Sequence, residues 1–142
     1  MKTLRIATFA LVLATLAACE SPQLAQSSNR IEQAQLEEMF ARMRTSTKWN
    51  VDGPMLWGYF FVDPSAQKLE QVGKELQASG YRVVGIEPMA EHKGFMLHVE
   101  RAEVHTPTSL NARNSDLYAI AKKYSVASYD GMDVGPIPAV AK

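Results

Sequence analysis

Cysteine occurs once in this chain of 142 residues, at position 19. A single thiol excludes an internal disulfide and a cysteine-rich zinc site. Excess charge of either sign is missing as well. Fifteen Lys and Arg offset 15 Asp and Glu, and the pI is about 6.8. Without a basic field there is nothing to gather nucleic acid phosphates, and without an acidic block there is no charged disordered tail. No glycine-rich phosphate loop follows a strand, and no G-x-S-x-G elbow is present. What is there, 46% hydrophobic and 21% charged residues, is the make-up of one small globular domain with attachments.

The amino terminus, MKTLRIATFALVLATLAACE, has the layout of an export signal. Lys2 and Arg5 supply a charged start, residues 6–16 an apolar core, and Leu16-Ala17-Ala18 a small-residue exit. The apolar core is about half of the ~20 residues a spanning helix needs. Leu-Ala-Ala-Cys closely resembles the bacterial lipoprotein signal. That resemblance implies that Cys19 takes a diacylglyceryl group through its sulfur and becomes the first residue after cleavage. A thiol suits thioether formation because it is the best side-chain nucleophile. The expected location is the bacterial cell envelope, with the chain anchored by lipid and facing the periplasm. Glu20, where Asp would read as inner-membrane retention, points to the outer membrane. Cleavage removes Lys2 and Arg5 and no acid, so a mildly acidic chain remains.

Residues 20–28 (ESPQLAQSS) are polar and read as a tether. Asn29 and Glu32 have helix-start spacing, and residues 30–44 put Leu36, Met39, Phe40 and Met43 on one helical face. That face reads as packed on the domain rather than as a methionine-rich docking stripe. Asp52-Gly53-Pro54 signals a turn. Residues 55–62 (MLWGYFFV) read as a central strand. A helix follows, beginning at Asp63-Pro64-Ser65, with Leu69, Val72 and Leu76 inward and Gly80 at its end. Residues 81–87 and 95–104 read as a hairpin. In its second strand Phe95, Leu97 and Val99 face one side, and Met96, His98 and Glu100 the other. Thr106-Pro107-Thr108 opens the last helix, which buries Leu110, Leu117, Ile120, Ala121 and Tyr124. Residues 125–129 form a fourth strand that ends at an Asp130-Gly131 turn, and the tail from residue 132 drapes over the surface. The order is that of a split βαβ repeat. The expected fold class is α+β and ferredoxin-like: a four-stranded antiparallel sheet with two helices on one face, plus an N-terminal helix.

Candidate chemistry is thin. His92, His98 and His105 lack metal-ligand spacing, although His98 and Glu100 share a strand face, and surface histidines are the expected reading. Asp130 and Asp133 lack the acid register of a calcium loop. Trp57, Tyr59 and Phe61 share one face of the first strand and Phe60 lies on the other. Aromatics on such a sheet can stack RNA bases, but the flanking cations are sparse, and core packing or a protein-binding face is the better reading. The chain is expected to be no enzyme, to hold no metal or cofactor, and to bind no nucleic acid.

The helix SAQKLEQVGKELQASGYRV, the LNA at residues 110–112 and the ending AIAKKYSVASYDGMDVG resemble the ribonuclease E inhibitor RraB family (regulator of ribonuclease E activity B) over residues 55–136. The resemblance implies a small non-enzymatic protein that binds and inhibits ribonuclease E. It also marks Tyr129, Asp130 and Gly131 as the family's Tyr-Asp-Gly and as a candidate protein-binding site. Their expected structural roles are a buried ring, a turn-fixing carboxylate and a backbone angle reserved for glycine. The organisation expected is a signal at 1–18, a lipid-anchored tether at 19–28, a helix and loop at 29–53, the RraB-like domain at 54–136 and a tail at 137–142. Because ribonuclease E is cytosolic, the expected function is an envelope-anchored regulatory or protein-binding module with an unknown protein partner, an immunity-type protein being one form of it. The alternative is a cytosolic ribonuclease E inhibitor whose true start is Met39 or Met43.

Overall fold

The computed structural model describes residues 30–90 and 93–139. Cys19, the signal and tether, Asn29 and His92 lie outside the described residues. Seven elements follow in order: α1 (Gln33–Ser46), β1 (Met55–Asp63), α2 (Ala66–Ala78), β2 (Arg82–Pro88), β3 (Phe95–Glu103), α3 (Pro107–Lys123) and β4 (Ser128–Gly135). The strands form one antiparallel sheet in the order β2-β3-β1-β4. This is the split βαβ arrangement expected from the element pattern, with α1 added in front.

Alternation along β1 decides which face is covered. Trp57, Tyr59 and Phe61 are at most 1% exposed, while Leu56, Phe60 and Val62 on the other face are half-buried. The covered face meets Leu97 and Val99 of β3, Leu69, Val72 and Leu76 of α2, and Leu110 and Leu117 of α3 in one core. α1 joins that core through Leu36, Phe40 and Met43. Phe40 stacks on Trp57 at 5.9 Å between ring centroids. α1 is therefore packed on the domain, as its apolar face implied. Its cap sits three residues later than the sequence suggested: Glu32 is the N-cap and Gln35 closes the capping box.

The ends of the helices place the strands. α2 ends at Ala78 with Ser79 as its C-cap, and Gly80 takes φ +89°. The Tyr81 amide then donates to the Leu76 carbonyl at 3.0 Å, a Schellman closure. α3 ends in the same way without a glycine. Ser125 takes φ +52°, and the Val126 amide donates to the Ala121 carbonyl at 2.9 Å. Residues 125 and 126 therefore close a helix, so the fourth strand begins at Ser128 rather than at 125. It also does not end at residue 130. It runs to Gly135, and residues 132–135 are strand rather than draped tail.

Candidate functional site

The covered side of the sheet holds a polar cluster built around Glu103, at the end of β3. Its Oε1 accepts from Arg113 Nη2 at 2.6 Å. Its Oε2 accepts from the Tyr59 hydroxyl at 3.0 Å and lies 3.2 Å from His105 Nε2. Burial pushes this carboxyl upward, but the His105 hydrogen bond, the Arg113 charge and the Tyr59 hydroxyl together hold it down at about 2. The Tyr59 hydroxyl is raised, first by burial and then by the charge of Glu103. His105 Nδ1 lies 3.0 Å from the Ser109 hydroxyl in the first turn of α3. The His105 ring meets Trp57 edge-on at 5.3 Å. His105 is buried, which corrects the expectation of a surface histidine. Its neighbours tie β1, β3 and α3 together, and the arrangement is that of a structural junction.

A second junction forms at Asp63, also buried. Its Oδ1 accepts from the Ser65 amide at 2.7 Å and its Oδ2 from the Ala127 amide at 2.9 Å. Burial raises this carboxyl, and the two backbone donors with Lys68 reverse the shift and hold it low. One side chain thus joins the end of β1 to the starts of α2 and β4.

Tyr129, Asp130 and Gly131 are not a terminal turn. The register of β4 against β1 slips between Phe60, opposite Gly131, and Phe61, opposite Tyr129. Asp130 is the extra residue of a β-bulge. Gly131 takes φ +107°, as a glycine-only backbone angle requires. Tyr129 is buried against Phe61 and Tyr118, and its hydroxyl donates to Asn114 Oδ1 at 2.7 Å. Asp130 is exposed, and no nearby amide is found donating to its carboxylate among the described residues. Two of the three candidates are thus inside the fold, and only Asp130 is offered to solvent.

No helix covers the other face of the sheet among the described residues. Leu56, Phe60, Val62 and Met96 lie half-buried on it. His98 stacks on Phe60 at 4.5 Å between centroids, and its Nε2 lies 3.5 Å from Glu100 Oε1. Arg82 pairs with the other oxygen of Glu100. Gly58 sits in the middle, because a Cβ there would run into both Asp133 Oδ1 and His98 Nε2. His98 and Glu100 do share a face, as alternation implied. Glu103, Asn114 and Gly58 were not singled out from sequence, since their partners come from distant elements; Asp63 reads there only as part of a helix start, and its Ala127 partner is distant in sequence. Among the described residues no group of three or more His, Cys, Asp or Glu could hold a metal ion. A groove of about 340 Å³ between α2 and strands β2 and β3 is floored by Gly73, Val83, Ile86 and Leu97. Neither serine, histidine nor cysteine lines it. No helix of the described residues is long and apolar enough to cross a membrane.

A family model described as Regulator of ribonuclease activity B matches residues 33–134. The match takes in α1 and runs to the penultimate residue of β4. No curated protein matches the chain. The chain belongs to the RraB family, a family of regulators.

Proposed function

We propose that this chain is a non-enzymatic regulator that acts by binding a protein, moored to the bacterial cell envelope through lipid on Cys19. The observation that carries the regulatory reading is the family match across residues 33–134. Supporting the mooring is the order of charged start, short apolar core and Leu-Ala-Ala-Cys at residues 2–19. Ribonuclease activity is the process named in the family's description. A chain held outside the inner membrane meets envelope proteins instead, so the partner is one of these. The outer membrane is the favoured destination, from Glu20 after the cysteine.

The cytosolic alternative fits the fold less well. A start at Met39 or Met43 would delete Leu36, which is 1% exposed in the core, together with the Glu32 cap of α1. Multiple acyl chains at about 0.8 kcal/mol per buried methylene hold a protein on a bilayer, where a single chain barely does. Radiolabelled palmitate is therefore expected to enter the wild-type chain in growing cells and not the Cys19→Ala variant. Equal labelling of both would refute the anchoring.

A further inference from the structure

The two edges of the sheet are closed to strand addition, and its bare face is not. β2 is bulged between Val83 and Gly85 and ends at Pro88. β4 is bulged at Asp130 and is followed by Pro136 and Pro138. Bulges and prolines blunt an edge against another strand. A partner therefore approaches over the face. There the apolar strip of Phe60, Val62 and Met96 is flanked by the carboxylates of Glu87, Glu100 and Asp133, and among the described strand residues on that face the guanidinium of Arg82 stands against them. Glu100 is engaged by Arg82, and no ion pair is found for Glu87 or Asp133 among the described residues. Bases such as Lys74, Lys122 and Lys123 belong to helices on the opposite side. An apolar strip with charge of one sign around it fits a segment with an apolar stripe and the opposite charge.

We propose that the uncovered sheet face binds a cationic amphipathic helix of the protein partner. This rests on the protein-binding function proposed above and names its surface and the chemistry of its ligand. A helix supplies the layer the sheet lacks on that side. Its apolar stripe covers Phe60, Val62 and Met96, and its Lys or Arg side chains meet Glu87 and Asp133. The Asp133 and His98 side chains close over Gly58, so the partner's cations meet the exposed carboxylates at the rim of the strip, not the floor beneath it.

The test uses the full-length chain in detergent micelles and a fluorescent, end-blocked helical peptide with leucines on one face flanked by arginines. The same peptide with glutamates for arginines is the comparison. The arginine peptide binds, its affinity falls as salt rises, and the glutamate peptide does not bind. Glu87→Lys with Asp133→Lys weakens binding about tenfold or more, and Lys123→Glu on the helix side leaves it unchanged. Asp133→Asn, which keeps the side-chain shape, gives a smaller loss in the same direction, and thermal melts verify that each variant is folded. Equal binding of the two peptides, no binding, or indifference to the face variants overturns the proposal. A dimer that Asp133→Lys dissolves would make a second copy the occupant and overturns it too. Palmitate labelling does not involve this face, so failure here is separable from failure of the anchoring. An envelope protein captured equally by wild type and the double lysine variant would retain the function and discard this surface.

Discussion

Glu103 is where one residue affects the most structure. It touches Tyr59 on β1, His105 after β3 and Arg113 on α3, and the backbone carbonyl of the same residue accepts from Trp57 Nε1 at 3.3 Å. Its folded pKa of about 2 lies below the ordinary 4.5. The charged form is thus favoured by folding. The stability it contributes is fully present above about pH 4.5 and is lost as pH falls toward 2. Glu103→Gln keeps the shape and removes the charge, leaving Arg113 without its counter-ion. It is expected to cost about 2 kcal/mol at neutral pH. The gap between variant and wild type should narrow in urea titrations at pH 3. A gap that stays constant with pH would assign the cost to packing alone. Arg101 and Arg113 also lie over the Tyr81 ring at 5.2 and 5.7 Å, so the cations retain some attraction in the variant. None of this was legible locally. Glu103 and His105 are two apart in sequence, but Tyr59 and Arg113 reach them only through the fold.

At the scale of elements, periodicity served well wherever one face of an element is buried and the other is not. Leu69, Val72 and Leu76 of α2 and the alternation of Leu97 and Val99 in β3 are buried as their spacing implies. Gly80 announced the end of α2 because glycine takes a left-handed angle without strain. The end of α3 was not announced, because Ser125 occupies the same kind of position. With no glycine to mark the stop, residues 125–129 read as a strand. Two further signals were hidden in β4. Asp130-Gly131 reads as a turn, whereas here it is a bulge within a strand, after which Met132 and Val134 resume facing Tyr59 and Trp57. Asn114 is 1% exposed on α3, and a buried amide looks like any solvent-facing polar residue until its partner, the Tyr129 hydroxyl, is in place. α1 is an integral layer by the same measure. Phe40→Ala removes the ring stacked on Trp57 and is expected to cost about 3–4 kcal/mol. Met39, half-buried, is the comparison, and Met39→Ala should cost less than half as much in the same denaturant titration. Equal, small losses at both positions would mean that α1 contributes little to the folded core.

At the scale of the whole molecule, one side of the sheet holds the core and its two polar junctions, and among the described residues no helix covers the other. Tyr129 and Gly131 of the Tyr-Asp-Gly are inside the fold. In this chain the motif builds architecture, namely a bulged edge strand with its ring tucked beneath α3. Regulation by binding needs a surface, and among the described residues the acidic, half-apolar face around Phe60 is the one proposed for it. It was legible in part, through the alternation that set His98 and Glu100 together. Asp133 joins them only because β4 extends past the bulge.

The proposed mooring of this regulator outside the inner membrane, through lipid on Cys19, is tested at the mature amino terminus. Mass spectrometry of the amino-terminal peptide of the chain purified from cell membranes should find a peptide beginning at Cys19 and carrying diacylglyceryl and acyl mass. An unmodified peptide beginning at Met1, or near Met39, would contradict it.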